Sequence, residues 1–142
     1  MKQFLLLSFA ALLFSAAACN KNNDVASFQL DKAFTLDHNV AIPWEEDASV
    51  NIRFDSTVAD SRCPVDAICV WAGRVEVKVS FTQAGNSETK ILALGDNSGT
   101  AFSNTAAFGD FTVELLSVLP APKSDYVISQ KEYKIEVVVK KS

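Results

Sequence analysis

The chain has 142 residues, with 13 Lys and Arg against 17 Asp and Glu, a formal charge of −4, and 49% hydrophobic residues. Acids and bases are interspersed without a basic stripe, which argues against a nucleic-acid partner. One His and one Met leave little material for histidine-based catalysis or for a Met-rich adaptable surface.

In chain order, the first feature is a leader. Lys2 gives a positive start, Phe4 to Phe14 is an apolar run without charge, and Ser15-Ala16-Ala17-Ala18 supplies small residues before a cut. The run is shorter than the roughly 20 apolar residues that span a bilayer. Cys19 follows directly. These residues resemble bacterial lipoprotein signals, with Ala16 where those usually carry Leu. The resemblance implies a signal peptide over 1–18 and a diacylglyceryl-modified, palmitate-bearing Cys19. An ordinary A-x-A site, releasing a soluble protein with a free thiol, is the alternative. Several acyl chains anchor stably where one is marginal. Asn20 after the Cys implies, by the same resemblance, outer-membrane sorting. Residues 19–25 then read as a lipidated Cys and a polar tether, and residues 26–142 as one domain. Without residues 1–18 the chain keeps 124 residues and a charge of −5.

The domain alternates with period two. Val75, Val77, Val79 and Phe81 share one face, against Arg74, Glu76, Lys78 and Ser80. Val50, Ile52 and Phe54 repeat the pattern, as do Phe111, Val113 and Leu115, and Tyr133, Ile135, Val137 and Val139. Weaker strand candidates are Ser27–Leu30, Ala33–Val40 and Thr89–Leu94. Breaks fall at Asn39 to Asp47, Gly85-Asn86, Gly95 to Gly99 and Pro120 to Asp125. Thr100 to Ala107 suggests one short turn, and no long helix is expected. The expectation is an all-β fold: a single antiparallel β-sandwich, immunoglobulin-like or jelly-roll-like, with about seven strands. A partly closed β-barrel is the alternative.

The segment Asp60-Ser61-Arg62-Cys63-Pro64-Val65-Asp66-Ala67-Ile68-Cys69-Val70-Trp71-Ala72-Gly73 carries the second strong signal. In an exported protein two nearby Cys oxidise, so Cys63 and Cys69 are expected to form a disulfide around a tight loop. Zinc is a poor rival, because two Cys and a distant His38 leave its coordination incomplete. The spacing is also not that of a C-x-x-C redox pair. Pro64 starts the loop, Trp71 is expected to cover the disulfide from a strand, and Gly73 permits a bulge or a close backbone approach. Asp60 and Arg62 are expected to pair at the loop entrance, with a carboxylate or phosphate clamp at Arg62 as the functional alternative.

This segment resembles a motif of small bacterial exported lipoproteins of uncharacterised function, D-S-R-C-P followed by C-V-W-A-G and a strand. Phe111–Pro122 and Tyr133–Val137 resemble that family's closing hairpin. The resemblance implies a fold and no activity.

The remaining candidates read as structure first. Asp37-His38-Asn39 is a polar turn before it is a general base with an orienting acid. Ser61 and Ser103 lack a nucleophile-elbow context. Glu45-Glu46-Asp47 is a solvated hairpin end before it is a calcium site, and Asp96-Asn97-Ser98-Gly99 is a turn. Trp44, Phe102, Phe108 and Tyr126 plug sandwich ends or form a stacking patch. The function expected is a lipid-anchored envelope protein, a non-enzymatic binding or structural module. Its partners would be the membrane and an envelope protein or glycan, with no metal or cofactor and no catalytic residue. An inhibitor or ligand-binding protein using Arg62, Pro64, Asp66, Ile68 and Trp71 is one alternative. A small hydrolase using Asp60, Asp66 or Glu45 is the other.

Overall fold

The computed structural model describes residues 26–142. The expected signal, the Cys19 modification and the tether lie outside the described residues. Eight strands form: β1 Ala33–Asp37, β2 Ala41–Pro43, β3 Asn51–Asp60, β4 Arg74–Gln83, β5 Asn86–Gly95, β6 Thr105–Phe108, β7 Phe111–Leu119 and β8 Lys134–Lys141. Among the described residues the helical content is a single 3-10 turn, Gln130–Glu132.

The strands make two four-stranded antiparallel sheets, ordered β1-β8-β7-β6 and β2-β3-β4-β5. The sheets face each other as a β-sandwich and do not close into a barrel. The chain passes between sheets only at β1–β2 and β5–β6. Its other connections join sequential neighbours, the cheapest way to lay down antiparallel strands.

The period-two pattern fixes the core. Phe54, Val77, Val79 and Leu92 from one sheet meet Leu115, Ile135, Val137 and Val139 from the other, all buried. Each such side chain contributes about 1.5–3 kcal/mol by leaving water. Phe81 stacks on Phe108 and tilts against Phe111, so Phe108, one of the expected end-plugging aromatics, joins the core.

The outer face of β4 departs from the alternation. Glu76 and Ser80 are buried although they point away from the core. β4 lies between β3 and β5, and polar neighbours lid its outer face. Arg74 pairs with Glu76 at 2.7 Å, and the Ser80 hydroxyl bonds to Asp55 and Thr89. Two other expectations also shift. Thr100 to Ala107 runs through bends into β6 rather than forming a lone turn. Ser27–Leu30 shrinks to one bridge, Phe28 with Trp44.

The registers define two poles. At one, Phe28 exchanges backbone bonds with Pro43 and Glu45, Trp44 meets Phe111 edge-on, and the Lys141 ammonium sits 5.6 Å from the Trp44 ring centre. The described chain enters the sandwich here. At the other pole β3 ends, β4 begins, and the β7–β8 connection crosses.

Candidate functional site

All the site residues named from the sequence in the β3–β4 connection gather at that second pole. Cys63 and Cys69 are disulfide-bonded, with Cα atoms 5.9 Å apart. Inside the ring, the Ala67 N–H donates to the Pro64 carbonyl at 3.1 Å, a turn that Pro64 starts by fixing φ. The Cys63 N–H donates to Ala72 at 3.0 Å and closes the base of the loop.

Gly73 shows why the chain can turn so sharply into β4. Its φ is +69°, and a Cβ there would lie 1.8 Å from the Ser61 carbonyl oxygen. Only glycine allows that approach. Gly95 repeats the device across the hairpin, where a Cβ would fall 2.3 Å from the Gly73 oxygen.

Arg62 is the organising residue of this pole. Its Nε donates to Asp60 Oδ1 at 2.8 Å and its Nη2 to Asp60 Oδ2 at 2.6 Å. Nη1 donates to the Val118 carbonyl at 2.6 Å, and Nη2 also reaches the Pro120 carbonyl at 2.9 Å. The expected pair is thus present, and the guanidinium also spans to the other sheet. Its donors face internal acceptors rather than an incoming carboxylate or phosphate. Tyr133 completes the group, donating from its hydroxyl to Asp60 Oδ2 at 3.0 Å. Burial pushes Asp60 up, but the hydrogen bonds and charge of Arg62, with Tyr133, outweigh it and hold the carboxyl below its ordinary value. Tyr133 is pushed up to about 12, first by burial and then by its bond to Asp60.

Asp66 stays exposed but is tied to the β7–β8 connection. Its carboxylate accepts from the Ser124 N–H at 2.9 Å and from the Ser124 hydroxyl at 3.0 Å. The backbone bond is the main cause of its lowered pKa. The Val65 N–H donates to Pro122 at 3.0 Å. The disulfide loop is therefore docked on the β7–β8 connection at several points.

What these bonds leave outside is apolar. Ile68 is 104% exposed, Val70 103%, Val127 90% and Trp71 71%. Val65 and Tyr126 are exposed in the same two connections, and Leu119 at the end of β7. Elsewhere only Val40, Val58 and Leu116 are large exposed hydrophobics among the described residues, so the apolar surface concentrates at this pole. Trp71 lies outside any strand, and the expected indole cover over the disulfide gives way to solvent. The cause is Gly73: its left-handed backbone ends extended pairing, and β4 begins at Arg74. Trp71 instead rims a shallow indentation of about 280 Å³ with Ser61, Arg74, Asp96 and Ser98. Arg74 is committed there to Glu76, and Asp96 accepts from the Ser98 hydroxyl and N–H.

The other candidates stay scattered. His38 lies edge-on to Phe54 in the β1–β2 turn, where the Val40 N–H reaches Asp37 at 3.2 Å. Glu45 accepts from Gln29, and Asp47 from the Ser49 N–H at 2.9 Å, at the opposite pole. The Asp96 segment is a turn, with the Thr100 N–H donating to Asn97 at 3.2 Å. No group of three His, Cys, Asp or Glu gathers as metal ligands among the described residues. No helix among them is long and apolar enough to cross a membrane.

Sequence reasoning missed Gln130. Its side-chain amide donates to the Thr57 carbonyl and accepts the Thr57 N–H, both at 2.9 Å, covering the edge of β3 beyond the short β2 as a strand would. It also missed Val70 and Val127, whose apolar character alone reads as core. No family model, curated protein or solved structure matches the chain.

Proposed function

We propose that this protein is a lipid-tethered module of the bacterial cell envelope. It has no catalytic role and engages an envelope component through its disulfide-braced pole. The observation that carries this reading is the concentration of exposed Ile68, Val70, Trp71 and Val127 on a pole pinned by the Cys63–Cys69 bond and the Arg62 group. Such a surface is ordered before it binds, which lowers the entropy cost of association. Its central charges, Arg62 and Asp60, are largely buried. Asp60 and Asp66, the acids a hydrolase would need here, serve Arg62 and Ser124. The described chain enters at the far pole, so a tether attached there leaves this one free. The leader and Cys19 supply the envelope address and the anchor.

The test places a photo-reactive residue at position 68, and in a second protein at position 78 on an exposed sheet face. Membrane-extracted protein should carry a lipid on Cys19 by mass spectrometry. Irradiated cells should yield an adduct with an envelope component from position 68 and little from position 78. An unmodified Cys19, or equal labelling from both positions, overturns the reading.

A further inference from the structure

We propose that the apolar pole is a lipid-inserting tip, whose occupant is the acyl region of a bilayer of zwitterionic phospholipids. Three observations favour lipid over a protein groove. First, Ile68 and Val70 are as exposed as they would be in an isolated peptide. They project singly from a convex loop and share no flank with neighbours. A fluid bilayer accepts isolated convex projections, whereas protein hot spots sit in packed, desolvated pockets.

Second, Asp66 is the one ionisable side chain between Cys63 and Gly73 apart from the bonded cysteines, and it is turned onto Ser124. The loop backbone is tied at Cys63–Ala72, Ala67–Pro64 and, across to the β7–β8 connection, Val65–Pro122. Insertion is therefore limited to the Ile68 and Val70 side chains, with the exposed Asp66 carboxylate and the loop backbone left among the headgroups.

Third, the surrounding collar carries both signs. Lys123, Asp125 and Lys131 are exposed and make no ion pair among the described residues. Trp71 and Tyr126, one in each of the two connections, are exposed, the amphipathic aromatics that favour the headgroup boundary. Mixed charge matches zwitterionic headgroups and makes attraction depend on apolar contact more than on salt.

A consequence follows that does rest on the anchor reading. β3 alone spans ten residues, about 30 Å from pole to pole. A tether over residues 19–25 extends at most about 24 Å. An upright domain held at Cys19 thus points its tip away from its own bilayer and toward any membrane brought close to it, and only a steep tilt returns the tip to its own.

The experiment uses residues 20–142, which contain the whole described sandwich, with phosphatidylcholine–phosphatidylethanolamine vesicles. The unlipidated protein should co-sediment with vesicles equally in about 0.1 and 0.5 M salt, a range over which charge attraction is strongly screened. The Ile68→Asp/Val70→Asp double variant should lose at least about tenfold in partitioning, while Val58→Asp, on the sheet, keeps it. Absence of vesicle binding, or binding indifferent to the double variant, overturns the proposal. So do position-68 adducts formed with protein in place of acyl chains. Circular dichroism of the double variant checks that it is folded. Lipidated protein should in addition cluster vesicles. Failure to cluster with tip binding intact counts against the upright reach and not against the tip.

Discussion

Arg62 and Asp60 lie side by side in a two-pronged hydrogen bond, Nε to Oδ1 at 2.8 Å and Nη2 to Oδ2 at 2.6 Å. The remaining guanidinium edge ties carbonyls 56 and 58 residues away, at Val118 and Pro120. A planar fork can make this set and an ammonium cannot. Arg62→Lys should therefore destabilise by about 2 kcal/mol. Urea unfolding should show a lower midpoint with an unchanged slope. A wild-type midpoint would mean that the fork contributes nothing to stability.

Tyr133 makes the same group sensitive to alkali. Its pKa is about 12 in the fold and about 10 in an unfolded chain. A raised pKa means that its contribution is complete below about pH 10 and lost as pH rises through about 12. Asp60 has the opposite sign: its lowered pKa gives stability that is present above the ordinary carboxylate range and lost as pH falls through the folded value. Tyr133→Phe should cost about 1 kcal/mol near neutrality. Unfolding midpoints taken along a pH series should show its deficit narrowing between about pH 10 and 12. A deficit constant across that range would count against the Tyr133–Asp60 bond.

The disulfide closes a short loop, for which chain entropy gives about 2 kcal/mol. The Cys63→Ser/Cys69→Ser protein should melt several degrees below the oxidised wild type in calorimetry. Reduction of the wild type should reproduce the shift. Equal melting temperatures would show that the docking bonds to Pro122 and Ser124 alone define the loop.

Gly73 and Gly85 form a natural comparison. Both have positive φ, but a Cβ at Gly85 meets nothing within 4 Å, whereas one at Gly73 strikes the Ser61 backbone. Gly85→Ala should cost about 1 kcal/mol of backbone strain. Gly73→Ala should cost clearly more, because backbone must move. Thermal unfolding of the pair decides it, and equal losses would place the close approach in doubt.

The strands were legible because one face of an antiparallel sheet is buried and the other is not, which writes a period of two into β3, β4, β7 and β8. The Asp60–Arg62 pair was legible because residues i and i+2 share a side of an extended chain. What joins distant segments was not. Nothing near Asp66 announces Ser124, and a lone Gln130 gives no sign that it stands in for a strand. The exposure of Val70 and Trp71 was hidden for a different reason. Cys69, Val70 and Trp71 read as the first residues of β4, and only the left-handed turn at Gly73 excludes them from it.

Asp66 and Ser124 are 58 positions apart in the chain yet bonded to each other. The outer surface around them is therefore a mosaic that neither segment can display alone. An antibody raised against this pole of the native protein would recognise a discontinuous epitope, blind to peptides copied from either stretch and to the protein on a denaturing blot. Antibody reactivity would then serve as a direct gauge of whether the two connections are still joined.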